Sequence, residues 1–249
     1  METINSALRR HYLNAYNWGK FFITLTKSFL SLFYPKLCVI CGEPLVEGED
    51  FFCLHCFLNL PKTNYHLTKD NLAFDRFLGK VPIEKAASYL YYNKAGMGQK
   101  LVAEIKYRGN IYLGKWLGQY VAKDFQKSGF FEGIDYLIPV PLHPQKYKKR
   151  GFNQSEIIAQ GITDVSHIPL ETRNLYRTKA NTSQTRKGVY ERWLNTTGNF
   201  KIKDKQLFAG KHVLLIDDVL TTGSTLEACI ICLLETPGIK ISLLTIAIA

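Results

Sequence analysis

Residues 216–225, Ile216-Asp217-Asp218-Val219-Leu220-Thr221-Thr222-Gly223-Ser224-Thr225, set two adjacent carboxylates just ahead of a run of hydroxyls around a glycine. The apolar run Val213–Ile216 before them reads as a strand buried on both faces. Leu226–Leu234 after them reads as a helix. The first N–H groups of a helix have no partner inside it, and the helix dipole favours an anion there. Gly223 removes the side chain that would block close approach of the backbone. The hydroxyls of Thr221, Thr222, Ser224 and Thr225 add donors at the same point. Together these groups suit a phosphate monoester. The lysine and spacing of a P-loop are missing, so a nucleoside triphosphate fits poorly. Carboxylates accept hydrogen bonds from vicinal hydroxyls, as an acidic residue does for ribose in dinucleotide folds. Acids first and cradle next is therefore the layout for a ribose 5-phosphate. The alternative is that Thr-Thr-Gly-Ser only caps a helix, which leaves two carboxylates at a buried strand end without a use.

Two further stretches carry cations. The strand Tyr136–Val140 runs into Pro141-Leu142-His143-Pro144-Gln145-Lys146-Tyr147-Lys148-Lys149-Arg150. We read this as a basic loop. Leu142, His143, Lys146 and Arg150 are its candidates for holding a pyrophosphate, and a merely solvated loop is the alternative. Arg173–Arg192 reads as a second basic loop, long for a compact domain, and long loops inside domains are often lids. Closing Arg186 or Lys187 over a leaving pyrophosphate would neutralise developing charge. Arg150, Arg186 and Lys187 are the candidate catalytic cations.

Cys38-x-x-Cys41 and Cys53-x-x-Cys56 are two knuckles separated by eleven residues. Four thiolates on two tight turns can close tetrahedrally around one Zn²⁺. A module of that size buries too little to fold without the metal. A closed four-cysteine set has no open position, so the zinc is expected to be structural. His55 and His66 are the substitute ligands. Cys229 and Cys232 share the spacing but sit in an apolar helical run, and are expected in the core.

These residues need elements to position them. Residues 1–36 read as a helical segment, with an amphipathic stretch at 4–33. Residues 37–61 read as the cysteine module, 62–85 as a connector and 86–249 as the main domain. In the last, strands are expected at Ala86–Tyr92, Tyr136–Val140, Val213–Ile216 and Ile239–Ile248. Helices are expected at Gly98–Tyr107, Tyr112–Lys127, Gln154–Ile162 and Leu226–Leu234. Strands alternating with helices argue for a mostly parallel sheet in an α/β fold, with ligands beyond the carboxyl ends of the strands. The chain has 249 residues, 46% hydrophobic, which suffices for a real core. A formal net charge of +11 favours polyanionic partners, either a polyphosphate or nucleic acid. Lysines interrupt the apolar stretch 18–37, so no transmembrane segment is expected. No small-residue cleavage site follows it, and the cytoplasm is the expected compartment. Paired cysteines in a reducing compartment are more often metal ligands than disulfides.

The segment 216–225 resembles the 5-phosphoribosyl-1-pyrophosphate (PRPP) motif of type I phosphoribosyltransferases. Other segments occur in an order similar to the ComF-type proteins. They are Ile105-Lys106-Tyr107-Arg108-Gly109-Asn110, Pro139-Val140-Pro141-Leu142, Arg150-Gly151-Phe152-Asn153-Gln154-Ser155 and Asn181-Thr182…Gln184-Thr185. The resemblance covers roughly 32–249. It implies a type I phosphoribosyltransferase fold, a mostly parallel central sheet flanked by helices, with a small N-terminal zinc-ribbon module. It implies that Asp217 and Asp218 hold the ribose 2′- and 3′-hydroxyls, that residues 221–225 hold the 5-phosphate, and that Mg²⁺ accompanies PRPP. It also implies a role in competence and DNA uptake. An active member would displace pyrophosphate with a nucleophile. The alternative is a non-enzymatic sensor or single-stranded-DNA-binding protein that retains the site, working with DNA-uptake proteins. Tyr107, Tyr112, Tyr147 and Phe152 would then offer stacking faces.

Overall fold

Proline decides where the central sheet stops, and that stop creates the site. The computed structural model describes residues 34–178 and 199–249. The chain divides into two compact units, Met1–Asn59 and Leu60–Ala249. The amphipathic stretch expected at 4–33 lies outside the described residues.

The larger unit carries a four-stranded, wholly parallel sheet of β1 (Ala86–Tyr91), β2 (Tyr136–Pro139), β5 (His212–Leu220) and β6 (Lys240–Ile248). The strand order is β1-β6-β5-β2. The two central strands read as near-continuous apolar runs because both their faces are covered. Edge strand β1 is not left bare. The Tyr91 N–H donates to Pro61 O at 2.9 Å and the Thr63 N–H to Tyr89 O at 3.0 Å. Lys62 pins that flank, its Nζ donating to Asp124 at 2.9 Å and to the Tyr120 hydroxyl at 3.2 Å. The expected α/β class with a parallel sheet and flanking helices is what the chain adopts.

On the β2 side, pairing with β5 ends at Pro139↔Ile216, with one more bond from the Val140 N–H to Ile216 O at 2.9 Å. Pro139, Pro141 and Pro144 offer no N–H to a ladder. On the other side β5 stays in register with β6 as far as Leu220↔Ile248. Residues 217–220 therefore overhang β2. The sequence placed the end of this strand at Ile216. The strand in fact continues through both acids, because β6 is long enough to pair with them.

The helices are α3 (Met97–Arg108), α4 (Ile111–Gln126), α5 (Pro144–Arg150), α6 (Gln154–Ser166) and α7 (Ser224–Leu233), with a short α2 at Leu72–Asp75 and α1 (Leu54–Leu58) in the smaller unit. Helix α5 corrects the expected loop at Lys146–Arg150. His143 Nδ1 accepts from the Gln145 N–H, Pro144 opens the first turn, Lys148–Arg150 sit at the negative helix end, and Gly151 closes it in the left-handed region (φ 83°). It has no buried residue, so no apolar stripe announced it. The second expected loop begins with β3 (Leu175–Arg177), paired antiparallel to β4 (Phe200–Ile202). Arg186 and Lys187 lie outside the described residues.

Helix α6 packs on β2 and β5, and α4 packs on α6. The α4–α6 contact is glycine against glycine. A Cβ on Gly118 would collide with Ile158 O and approach Gly161 Cα to 3.1 Å, and one on Gly161 would collide with Lys115 O. Main chains this close leave no slack, so α4 fixes the height of α6 above the sheet. Gly161→Ala is therefore expected to cost about 1–3 kcal/mol. Thermal unfolding should show a drop of several degrees in Tm. An unchanged Tm would contradict the close approach.

Candidate functional site

Asn153 anchors the start of α6. Its Oδ1 accepts from the Ser155 N–H at 3.2 Å, and its Nδ2 donates to Val140 O at 3.0 Å. One side chain thus caps the helix and ties it to the end of β2. The first turn of α6 lands beside the β5 overhang. Ser155 Oγ donates to Asp217 Oδ1 at 2.9 Å, and the Asp218 N–H donates to the same oxygen at 2.9 Å. Gln154 Nε2 donates to Asp218 Oδ2 at 2.8 Å, and Lys106 Nζ, from the last turn of α3, lies 2.8 Å from that same oxygen. Arg150 Nη1 donates to Gln154 Oε1, which fixes the amide so that its NH₂ faces the acid.

One oxygen of each carboxylate is therefore held by the protein. The other, Asp217 Oδ2 and Asp218 Oδ1, has no hydrogen-bond partner among the described residues. Asp217 is half-buried and Asp218 buried. Burial, then the neighbouring Asp218 carboxylate, push Asp217 up to about 7, against the opposing pull of the Asp218 N–H, Ser155 and Lys106.

Beyond Leu220 the chain turns through exposed Thr221 and Thr222 into Gly223, in the left-handed region at φ 83°. Gly223 occupies the cap position of α7 and brings no side chain to it, while Thr222 Oγ1 accepts from the Ser224 N–H at 3.5 Å. Thr222 Oγ1 and Ser224 Oγ are 2.9 Å apart, and Thr222, Ser224 and Thr225 are all exposed at the open end of α7. Two residues missed by sequence reasoning hold the turn from outside. Arg76 Nη1 donates to Thr221 O at 2.9 Å and its Nη2 to the Ala249 main-chain oxygen at 2.6 Å. A Cβ at Gly223 would stand 3.2 Å from the Phe77 ring. Both belong to the stretch read as connector, where no periodicity marked them. Beside them a 410 Å³ hollow is lined by Phe74, Phe77 and residues 78–83, and includes neither acid.

Of the pyrophosphate candidates, Arg150 is engaged with Gln154 and His143 caps α5, while Lys146 is exposed and Leu142 half-buried on the way into that helix. Lys106, Gln154 and Ser155 lay within segments the sequence marked for family order only. Their contact with the acids was invisible because it spans 112, 64 and 62 positions of chain.

In the smaller unit, Cys38, Cys41, Cys53 and Cys56 bring their sulphurs within 4.8 Å of one another, Cys41 and Cys53 at 3.6 Å. Four sulphurs around one zinc at ~2.3 Å would lie about 3.8 Å apart, so the set fits the ion. The Gly42 N–H donates to Cys38 O at 2.9 Å with Gly42 at φ 82°, and Cys53 opens α1. Burial works to raise Cys38, but N–H groups of Cys41, Cys53 and Ile40 outweigh it and hold that thiol at about 6. His55 is exposed on α1, and His66 stacks on Phe125 at 4.2 Å in the other unit, so neither belongs to the cluster. Cys229 and Cys232 are buried on α7, as expected. Among the described residues no helix is long and apolar enough to cross a membrane.

Residues 144–249 match the phosphoribosyl transferase domain. The chain is 27% identical to competence protein ComFC of Bacillus subtilis over 201 residues, 80% of this chain and 78% of that protein. It is 26% identical to the DNA utilization protein YhgH of Shigella flexneri over 205 residues, 77% of this chain and 87% of that one. It is 28% identical to competence protein F of Haemophilus influenzae over 131 residues, 51% and 57% of the two chains.

The raised Asp217 gives a signed expectation. Its charge opposes folding once the unfolded chain ionises near pH 4, increasingly so up to about pH 7, and by a constant amount above. Asp217→Asn, whose Oδ1 can still accept from Ser155, should raise Tm at pH 8 by a few degrees, about 1 kcal/mol or more, with the gain shrinking toward pH 4. Thermal unfolding across that range checks it. For the cysteine cluster, a thiol-modifying mercurial should release one zinc per chain, read with a chromogenic chelator, and Cys53→Ser should lower the zinc content.

Proposed function

We propose that this chain, a phosphoribosyltransferase-like protein of the ComF type, binds PRPP or a related ribose 5-phosphate across the carboxyl end of β5, in the cytoplasm, in the service of DNA uptake or utilisation. The observation that carries this reading is the division of labour within the acid pair. Among the described residues one oxygen of each carboxylate is held and the other has no partner, and two such acceptors on adjacent residues suit the two hydroxyls of a ribose. Four to eight residues further on, the start of α7 and the hydroxyls of Thr221, Thr222, Ser224 and Thr225 would take the 5-phosphate.

Each side chain then has a task. Ser155 and Gln154 orient the acids, Arg150 orients Gln154, and Arg76 and Phe77 hold the phosphate turn. Pyrophosphate would lie toward Leu142, His143 and Lys146 at the end of β2, and Mg²⁺ would travel with it. Arg186 and Lys187 remain the cations proposed to close over it. An acceptor nucleophile would displace pyrophosphate at C1 of the ribose through an oxocarbenium-like state. The new bond forms at C1 and the leaving oxygen keeps the electron pair of the old one. The cysteine cluster would hold zinc as a structural ion.

A specific observation favours a second reading. Tyr107, Tyr112 and Tyr147 are 80%, 76% and 50% exposed, beside Arg108, Lys148 and Lys149. Phe152 comes within 3.9 Å of a Cβ placed on Gly109, bringing the α3–α4 corner next to the end of α5. Exposed rings among cations suit single-stranded nucleic acid.

Ligand-induced thermal shift decides between them. PRPP or ribose 5-phosphate at a hundred times Kd should stabilise the chain by about 2.7 kcal/mol, some 5–10 °C. Asp217→Asn/Asp218→Asn should abolish that shift. No shift in the wild type at millimolar PRPP with Mg²⁺ refutes the first reading. Salt-dependent affinity for single strands that is lost in Tyr107→Ala/Tyr147→Ala, yet kept in the double acid variant, establishes the second.

A further inference from the structure

Adjacent carboxylates at the end of a strand, each with an oxygen not engaged by the described residues, ordinarily attract a divalent cation, since Mg²⁺ and Mn²⁺ prefer oxygen ligands. The surroundings of Asp217 and Asp218 oppose this. Lys106 Nζ stands 2.8 Å from Asp218 Oδ2, and only 23% of that side chain is exposed. Gln154 Nε2 donates to the same oxygen, and its amide cannot turn its carbonyl toward a cation without giving up Arg150. Ser155 and the Asp218 N–H both donate to Asp217 Oδ1. Among the described residues, every side chain or N–H bonded to the acids is therefore a donor, and one is a full positive charge.

Lys106 is also held for this task. Helix α3 ends at Gly109 in the left-handed region (φ 69°), and Asn110 Oδ1 at once caps α4 through the Leu113 N–H at 3.0 Å. Glu104, the acid nearest in the helix, is taken by Arg108 at 3.2 Å. Lys106 is left to the acid pair. An ammonium is a compact charge on a flexible stem, so it can stay on Asp218 Oδ2 while the free oxygens receive hydroxyls.

We infer that Lys106 is the resident counter-ion of the acid pair, making Asp217 and Asp218 a receptor for sugar hydroxyls and barring a divalent cation from them. This rests on the proposed ribose site. Any Mg²⁺ then enters with the pyrophosphate and does not sit on the acids beforehand. The charge also reduces repulsion between the acids and the phosphate held a few residues on.

Manganese titration of the full, zinc-loaded chain, followed by electron paramagnetic resonance without any pyrophosphate, tests the inference. The wild type should leave the signal of hydrated Mn²⁺ unchanged up to millimolar ion, and so should Lys106→Arg. Lys106→Gln should gain a Mn²⁺ site, roughly thirtyfold tighter than anything in the wild type, that disappears when Asp217→Asn/Asp218→Asn is added. The same Lys106→Gln should bind ribose 5-phosphate roughly thirtyfold more weakly. Lys106→Met provides a second uncharged variant should Lys106→Gln fail to fold. Acid-dependent Mn²⁺ binding by the wild type overturns the inference, as does a folded, uncharged variant that gains no site. Failure of the wild type to bind ribose 5-phosphate would instead refute the ribose reading, while the manganese arms would still report on Lys106.

Discussion

Beyond Ile216, β5 has a strand on one side only. A half-paired strand end beside a run of prolines is an opening in the sheet, and the first turn of α6 fills it. Asn153 ties that turn to Val140, and Ser155 and Gln154 reach across to the two acids. A carboxylate brought out of bulk water needs donors, and two adjacent ones repel each other. The site exists because one helix start, one lysine and one main-chain N–H supply donors to a single oxygen of each acid. Among the described residues the remaining oxygens have no partner.

The rest of the larger unit keeps that helix start where it must be. Gly118 and Gly161 let α4 and α6 touch main chain to main chain, so a shift in one is transmitted to the other. Gly109 and Asn110 turn the chain sharply between α3 and α4, which brings Lys106 to the acids from a third direction. On the far side of β5, Arg76 and Phe77 hold the turn that leads into α7. The acids and the turn into α7 are thus supported by different segments.

This arrangement costs stability. Asp217 is displaced to about 7 by burial and by its neighbour, so its ionised form weighs on the free protein near neutrality. The cysteine cluster follows the opposite logic, because four thiols within 4.8 Å repel one another as thiolates until a cation sits between them.

The sequence by itself determined the α/β class, the parallel strands, the four-cysteine cluster and the order of acids, glycine and hydroxyls. All of these are local: apolar runs, x-x spacing and turn residues act over a few positions. It misplaced the end of β5, because strand length depends on β6 as a partner. It also took α5 for a loop, because a fully solvated helix has no apolar stripe. Only the tertiary structure decided that Lys106, Gln154 and Ser155 meet the acid pair, and that Arg76 and Phe77 secure the turn into α7. Those contacts join residues from 62 to 173 positions apart. Which distant donors meet a carboxylate is set by how helices and strands stack, a property of packing that no window of sequence contains.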